Sequence, residues 1–354
     1  MVVQPKFYYK RTPTNVTNGE ITAETLLLSD YPRDGFKLHP LFYDENGNEL
    51  EYVLLSAYEG GVYDTSASTY ITNANVNSVT VSEDKLSSII DCKPQAELTI
   101  SDFERLATNR GQNWHITNLA SYSANQMLFM VEYANLNSQS ALAPGISTLP
   151  RVGNLNFASN TGATKNFSAS GKATSTINVT NNQTTTYTTD TTCAITYRGV
   201  ENLWGNIWKF IGGLYSTSNN GIETFYLCQG YNYENLNGYT PLGTTIPATS
   251  NWASSLSYIS SDYDWVLLPF TSATSNSLLP IGDYVWFNSD SNRHAALFGG
   301  CGDHGDKVGL FNYAFDQPYT GTRNVRGARL MFVPSITDTN YVTNLGKIKA
   351  EIST

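Results

Sequence analysis

Residues 7–58 alternate short apolar runs with turn signals. An Asn46-Gly47 pair lies between the strand-like runs 41–43 and 50–55, and Asn-Gly supplies the positive φ a tight turn needs, so a hairpin is predicted there. Residues 64–90 are rich in Ser, Thr and Asn with little periodicity and read as a loop or a small excursion from a sheet. The period then lengthens. Thr99-x-x-Asp102 has the form of a capping box, and Ile100, Phe103, Leu106 and Ala107 share one helical face before Gly111 ends the run. A second helix is predicted from Thr117 or Asn118, since Leu119, Tyr122, Gln126, Met127, Met130 and Tyr133 recur at helical spacing. Each helix would lay one face on a sheet.

Residues 156–196 are Thr, Ser, Asn and Ala with isolated apolar positions such as Ile177 and Val179. Their composition suits either a disordered insertion or an exposed hairpin, and the stretch is expected to project from the domain without contributing to its core. Beyond it, aromatic-rich strands with Gly-containing turns are predicted at 204–214, 221–229, 263–270, 284–288, 295–300, 308–315 and 328–334. Strands, two helices and then a long strand-and-loop half, without βαβ alternation, predict an α+β fold with a mixed antiparallel sheet, two helices and long loops.

Composition agrees with this pattern and narrows the function. The 354 residues allow two or three domains, or one large domain with appendages. Only 14% are charged and the net charge is −9, with no basic block or stripe, so nucleic acid is not an expected partner. No apolar run reaches bilayer-spanning length, and residues 1–13 lack a signal-peptide core; a protein made soluble in a cytoplasm, without membrane insertion, is expected. Cys92, Cys193, Cys228 and Cys301 match no disulfide or zinc-ribbon spacing and are expected to be free thiols. That fits folding in a reducing compartment and leaves room for later release from a lysed host.

Several phrases carry a resemblance. They are Gly299-Gly300, Gly305, Val308-Gly309-Leu310-Phe311 and Gly327-Ala328-Arg329-Leu330, preceded by His39-Pro40-x-Phe42, Asn113-Trp114-His115-Ile116-Thr117, 136–140 and 197–210. In this order they resemble the variable proteins diversified by retroelements, a family that includes phage tail receptor-binding proteins and has a C-type-lectin-like fold shared with formylglycine-generating enzymes. The resemblance runs from about residue 36 to 334. It implies an N-terminal strand segment (1–35), a C-type-lectin-like domain (36–334) carrying the 156–196 insertion, and a C-terminal tail (335–354). It further implies a virion adhesin at a tail or fibre tip that binds a host cell-surface receptor, protein or glycan, as a homo-oligomer, with a trimer expected. Residues alone give these phrases a structural reading: the glycines sit where turns or close backbone approaches are wanted, and Trp114, Trp204 and Trp208 are apolar anchors.

Between the frame glycines lie Cys301, Asp303, His304, Asp306, Asn312, Tyr313, Phe315, Asp316, Tyr319, Arg323, Asn324 and Arg326, with no common packing logic. The resemblance implies that they form a variable ligand-binding surface, with Lys307 and Gln317 as fixed positions. Tyr313, Phe315, Tyr319, Arg323 and Arg326 are the residue types that make binding hot spots, so they are expected to carry contact; the bland alternative is a polar loop with partly buried aromatics. Cys301, Asp303, His304 and Asp306 offer zinc-ligand chemistry, but a second Cys or His pair is missing nearby, and no metal or other cofactor is expected. Calcium is not expected either, because Gln317-Pro318-Tyr319 lacks the acid beside the proline. The enzymatic alternative, a formylglycine-generating type, needs a cysteine pair that only Cys228 could complete with Cys301; the other alternative is a structural virion protein without receptor binding. No Gly-x-Ser-x-Gly elbow, P-loop or HExxH helix occurs. His39, His115 and His294 read as core histidines.

Overall fold

Alternation of period two is clearest in strand Ile222–Cys228, where Glu223, Phe225 and Leu227 are buried and the side chains between them are not. Its neighbour Trp208–Asn219 is buried on both faces along most of its length, as befits a strand at the centre of a covered sheet. The computed structural model describes residues 1–149, 158–167, 169–180, 183–187, 193–228, 230–233, 236–271 and 280–336, with positions 344 and 346. Most of the predicted tail 335–354 and parts of the 156–196 stretch lie outside the described residues.

Among the described residues the largest sheet has twelve strands. Its path runs Tyr239–Pro247, Ile222–Cys228, Trp208–Asn219, Arg293–Phe298, Tyr313–Pro318, Tyr284–Phe287, Asn251–Ser257, Glu20–Ser29, Tyr8–Thr17 and Lys37–Leu38. Most pairs are antiparallel, but Tyr284–Phe287 runs parallel to Tyr313–Pro318, and Arg326–Gly327 runs parallel to the start of Trp208–Asn219, so the sheet is mixed. A second sheet joins Val2–Pro5, Tyr52–Leu55, Leu330–Phe332 and Trp114–Ile116, bringing early and late parts of the chain together. The fold is therefore α+β and dominated by sheet, as the pattern predicts.

Helix α1 (Ile100–Thr108) opens with the predicted capping box: the Thr99 N–H donates to Asp102 Oδ2 at 2.9 Å, and the Asp102 N–H donates to Thr99 Oγ1 at 3.2 Å. Helix α2 (Leu119–Tyr133) is capped by Asn118, whose Oδ1 accepts from the Ser121 N–H at 3.0 Å. A single further turn, Ser138–Ala141, was not signalled by any apolar period. The 64–90 excursion is a small sheet of Gly60–Asp64, Thr69–Ile71 and Lys85–Ser88. Within the 1–35 segment, two long strands form a hairpin at the far end of the main sheet, and Phe7, Tyr9 and Ile21 share one core cluster with Trp204 and Tyr313.

The Thr/Asn-rich stretch corrects one expectation. Both its ends are part of the core: Ala158, Ser159, Thr161, Thr164, Ala194, Ile195 and Thr196 are buried. The physical reason is polar satisfaction from the frame. Glu201 accepts from the Gly162 and Thr164 N–H groups at 2.8 and 2.7 Å, and Asn206 Oδ1 accepts from the Ser159 N–H at 2.7 Å, so these polar residues are buried without loss of hydrogen bonds. Between the ends, Ser175–Thr180 and Gln183–Tyr187 pair antiparallel.

Candidate functional site

A cleft of about 740 Å³ opens on the main sheet, and the segment singled out in the sequence supplies most of its wall. Cys301, Asp303, His304, Asp316, Arg323, Asn324 and Arg326 line it, together with Trp208, Trp286, Leu297, Ala314 and Gln317. Two loops hold these side chains.

The first follows strand Arg293–Phe298. Gly299 and Gly300 have φ of +85° and +76°, and a Cβ on Gly299 would meet the Leu203 carbonyl oxygen at 2.9 Å, so the turn that delivers Cys301 requires glycine. Its backbone is then stitched to the frame: Gly302 N–H donates to Asn206 O at 2.9 Å and Gly305 N–H to Ser147 O at 2.7 Å. The second loop, 319–326, is pinned through Arg323 O, which accepts from Glu97 N–H at 3.0 Å, and Val325 O, which accepts from Trp208 N–H at 2.8 Å. Both loops thus enter the cleft from fixed backbone, the geometry that limits ordering cost on binding.

The pleat decides which side chains reach the cleft. Along Tyr313–Pro318, Ala314 and Asp316 face it, whereas Tyr313 and Phe315 point to the opposite face and are buried. There Tyr313 lies 5.3 Å edge-on to Phe298, and Phe315 lies 4.9 Å from Phe225, ring centre to ring centre. Asn312 is also buried, with its amide donating to Tyr284 O at 2.7 Å and Lys307 O at 2.6 Å. These are corrections: Asn312, Tyr313 and Phe315 are frame, not surface. Asp306 is exposed on a short turn outside the cleft wall, and Tyr319 is half-buried beside Tyr215 under the Arg293 guanidinium, also outside it.

Aromatic residues do contribute to the cleft, from positions the sequence reading gave to packing or did not name. Trp208 and Trp286 stand edge-to-face at 5.4 Å, and His304 lies 5.5 and 4.9 Å from their rings. The signal for Trp286 was present in the alternation of Tyr284–Phe287, which buries Val285 and Phe287 and leaves Tyr284 and Trp286 on the other face. Glu97 joins the wall from just before α1, where nothing in the sequence connects it to residues 295–330.

Cys301, Asp303 and His304 bring their donor atoms within 4.8 Å of one another, and they are the residues that could hold a metal ion. In the protein as it stands the thiol donates to Asp303 Oδ1 at 3.1 Å, and burial, followed by the Asp303 charge, pushes the Cys301 pKa well up. The cluster therefore satisfies itself with a neutral thiol, and a cation would have to displace that proton. None of the four cysteines is in a disulfide; Cys228 lines a separate small cavity with Gly213 and Tyr231.

The other histidines are structural. His39 is fully buried, accepts from the Leu41 N–H at 3.2 Å, and is depressed by burial to a pKa of about 3. His115 stacks on Tyr231 at 4.8 Å, and buried His294 lies 3.0 Å from Asp290. Among the described residues no helix is long and apolar enough to cross a membrane. The chain matches no protein-family model and no curated protein.

Proposed function

We propose that this protein recognises a ligand on the host cell surface with the 740 Å³ cleft, as a virion adhesin of the retroelement-diversified, C-type-lectin-like kind. The observation that carries the reading is the cleft itself: two loops from one C-terminal segment, set on a covered sheet by glycine turns and backbone hydrogen bonds, converge chemically diverse side chains on one concavity. The contact set is revised from the sequence reading. Asp303, His304, Asp316, Arg323, Asn324 and Arg326 supply polar recognition, and Trp208 and Trp286 supply the aromatic wall in place of Tyr313 and Phe315. Binding on this reading needs neither metal nor turnover. A homo-oligomer, a trimer on the resemblance, would multiply weak single sites by avidity.

Filling the cleft tests this. Thr322→Trp combined with Asn324→Trp changes two lining positions that are not core, so the thermal melt is expected to hold while adsorption of the protein to host cells is lost. Normal adsorption by the filled variant would refute the assignment.

A further inference from the structure

Arg326 is 3% exposed and is part of the cleft wall. Among the described residues no hydrogen bond and no ion pair reaches its guanidinium, although a buried arginine ordinarily satisfies its fork of N–H donors through carboxylates or carbonyls. Burial, and then the like charge of Arg323 beside it, lower its pKa to about 10; the field of Asp316 opposes them without coming within ion-pair distance. The other carboxylates of the wall are differently engaged: Asp303 takes the Cys301 thiol, Asp316 takes the Gln317 amide at 2.7 Å, and Glu97 is exposed at the rim. Beside Arg326 in the wall, Asn324 Nδ2 is buried without a hydrogen-bond partner among the described residues. The cleft wall thus holds a largely buried cation that has no protein acceptor among the described residues, next to a pair of indoles.

We infer that the cleft takes the acidic group of a saccharide, a carboxylate or sulfate received by Arg326 and Arg323, with the sugar ring against Trp208 and Trp286. This rests on the reading of the cleft as the ligand site and names its ligand chemistry. Guanidinium matches the planar fork of a carboxylate or two oxygens of a sulfate. The apolar face of a pyranose suits an indole wall, whereas an acidic peptide would have no need of it.

The test is a titration of the full chain, by calorimetry and ligand-observed NMR, with glucuronate, glucose 6-sulfate, glucose and polyglutamate. Saturable binding of an acidic sugar is expected, with glucose roughly 30-fold weaker or worse and the same loss for the acidic sugar in Arg326→Gln; Arg326→Lys should recover part of it. Comparison of glucuronate with glucose 6-sulfate tells carboxylate from sulfate. Unliganded Arg326→Gln should melt at or above the unmodified protein, because it removes an unpaired buried cation; a lower melting point would mean that the cation serves the fold, and would overturn the inference. So would equal affinity for glucose and glucuronate, no saturable binding of either acidic sugar, or a preference for polyglutamate. If the Thr322→Trp, Asn324→Trp protein fails to adsorb to cells while Arg326→Gln adsorbs normally, the acidic-sugar inference falls and the cleft assignment stands; if both adsorb normally, both fall.

Discussion

Two regions of this molecule treat a buried cation in opposite ways. At the junction of the two sheets Lys209 and Arg329 are almost fully buried, and each donates to acceptors of the frame. Lys209 Nζ donates to Gly205 O at 2.5 Å and lies 3.2 Å from Glu59 Oε1; Arg329 donates to Glu201 O at 2.7 Å, Ser56 O at 3.0 Å and Ala57 O at 3.1 Å. Asn206 adds its amide to the other Glu59 oxygen. Burial, reinforced by the like charge of Arg329 and opposed by the Glu59 carboxylate, lowers the Lys209 pKa to about 8. In the cleft, Arg326 is nearly as buried and has no such partner among the described residues. On the proposed reading the difference separates frame from site: burial of a cation is compensated inside the protein in one place and left open to a ligand in the other.

The largest effect should come from breaking the compensated region. Glu59→Ala leaves Lys209 buried without its counter-charge and frees two asparagine amides, and should cost about 3–5 kcal/mol of stability by urea or thermal unfolding. Arg326→Gln should cost nothing. Similar losses in the two variants would erase the distinction. Trp204→Ala and Trp208→Ala sharpen the same contrast: Trp204 is wholly buried with its ring N–H on Ala143 O, whereas Trp208 borders open cleft, so the first should lose about 3–5 kcal/mol and the second clearly less.

A middle-sized effect should appear with pH, and again in the frame. The His39 imidazole takes up a proton near its ordinary value of 6.5 in the unfolded chain but only near pH 3 in the folded one. The unfolded state therefore binds more protons between those values, and stability that is fully present above pH 6.5 is lost as the pH falls through that window, by about 2 kcal/mol at pH 5. His39→Gln should flatten this acid limb in chemical denaturation series at pH 7, 6 and 5. His115, depressed by burial to about 4, acts in the same direction and should leave a residual slope. An unchanged slope in His39→Gln would show that the imidazole is not held neutral.

Local signals were legible in the sequence and long-range ones were not. The Thr99–Asp102 box and the Asn118 start of α2 depend on neighbours within one turn, and both helices form where those residues place them. The burial of Tyr313 and Phe315 is not legible from residue type, because the pleat decides it: in a strand covered on both faces, aromatic chemistry does not reveal which face meets solvent. Glu97 and Trp208 reach the cleft through backbone hydrogen bonds to Arg323 and Val325, more than a hundred residues away, and no periodicity encodes that meeting. The burial of Ser159, Thr161 and Thr164 was hidden for the same reason, since the side chains that accept from this backbone, Glu201 and Asn206, belong to a later part of the chain.

The smallest effect on stability should accompany the clearest effect on binding. Asn324 is half-exposed, and its amide nitrogen is buried without a partner, so Asn324→Ala removes an unsatisfied donor rather than a hydrogen bond. The fold has nothing to lose there, and its melting point should move by less than the equivalent of about 0.5 kcal/mol, with a small rise as the favoured sign. Asp306 is exposed on the same segment but outside the cleft wall, and Asp306→Ala should be equally silent towards folding. The two should part company in cell adsorption. Asn324→Ala changes a side chain of the cleft wall and should weaken it, whereas Asp306→Ala should not, because composition of the segment matters only where the two loops converge. Equal adsorption by the two variants would mean that the segment acts as a diffuse surface, and the convergence on one cleft would lose its functional meaning.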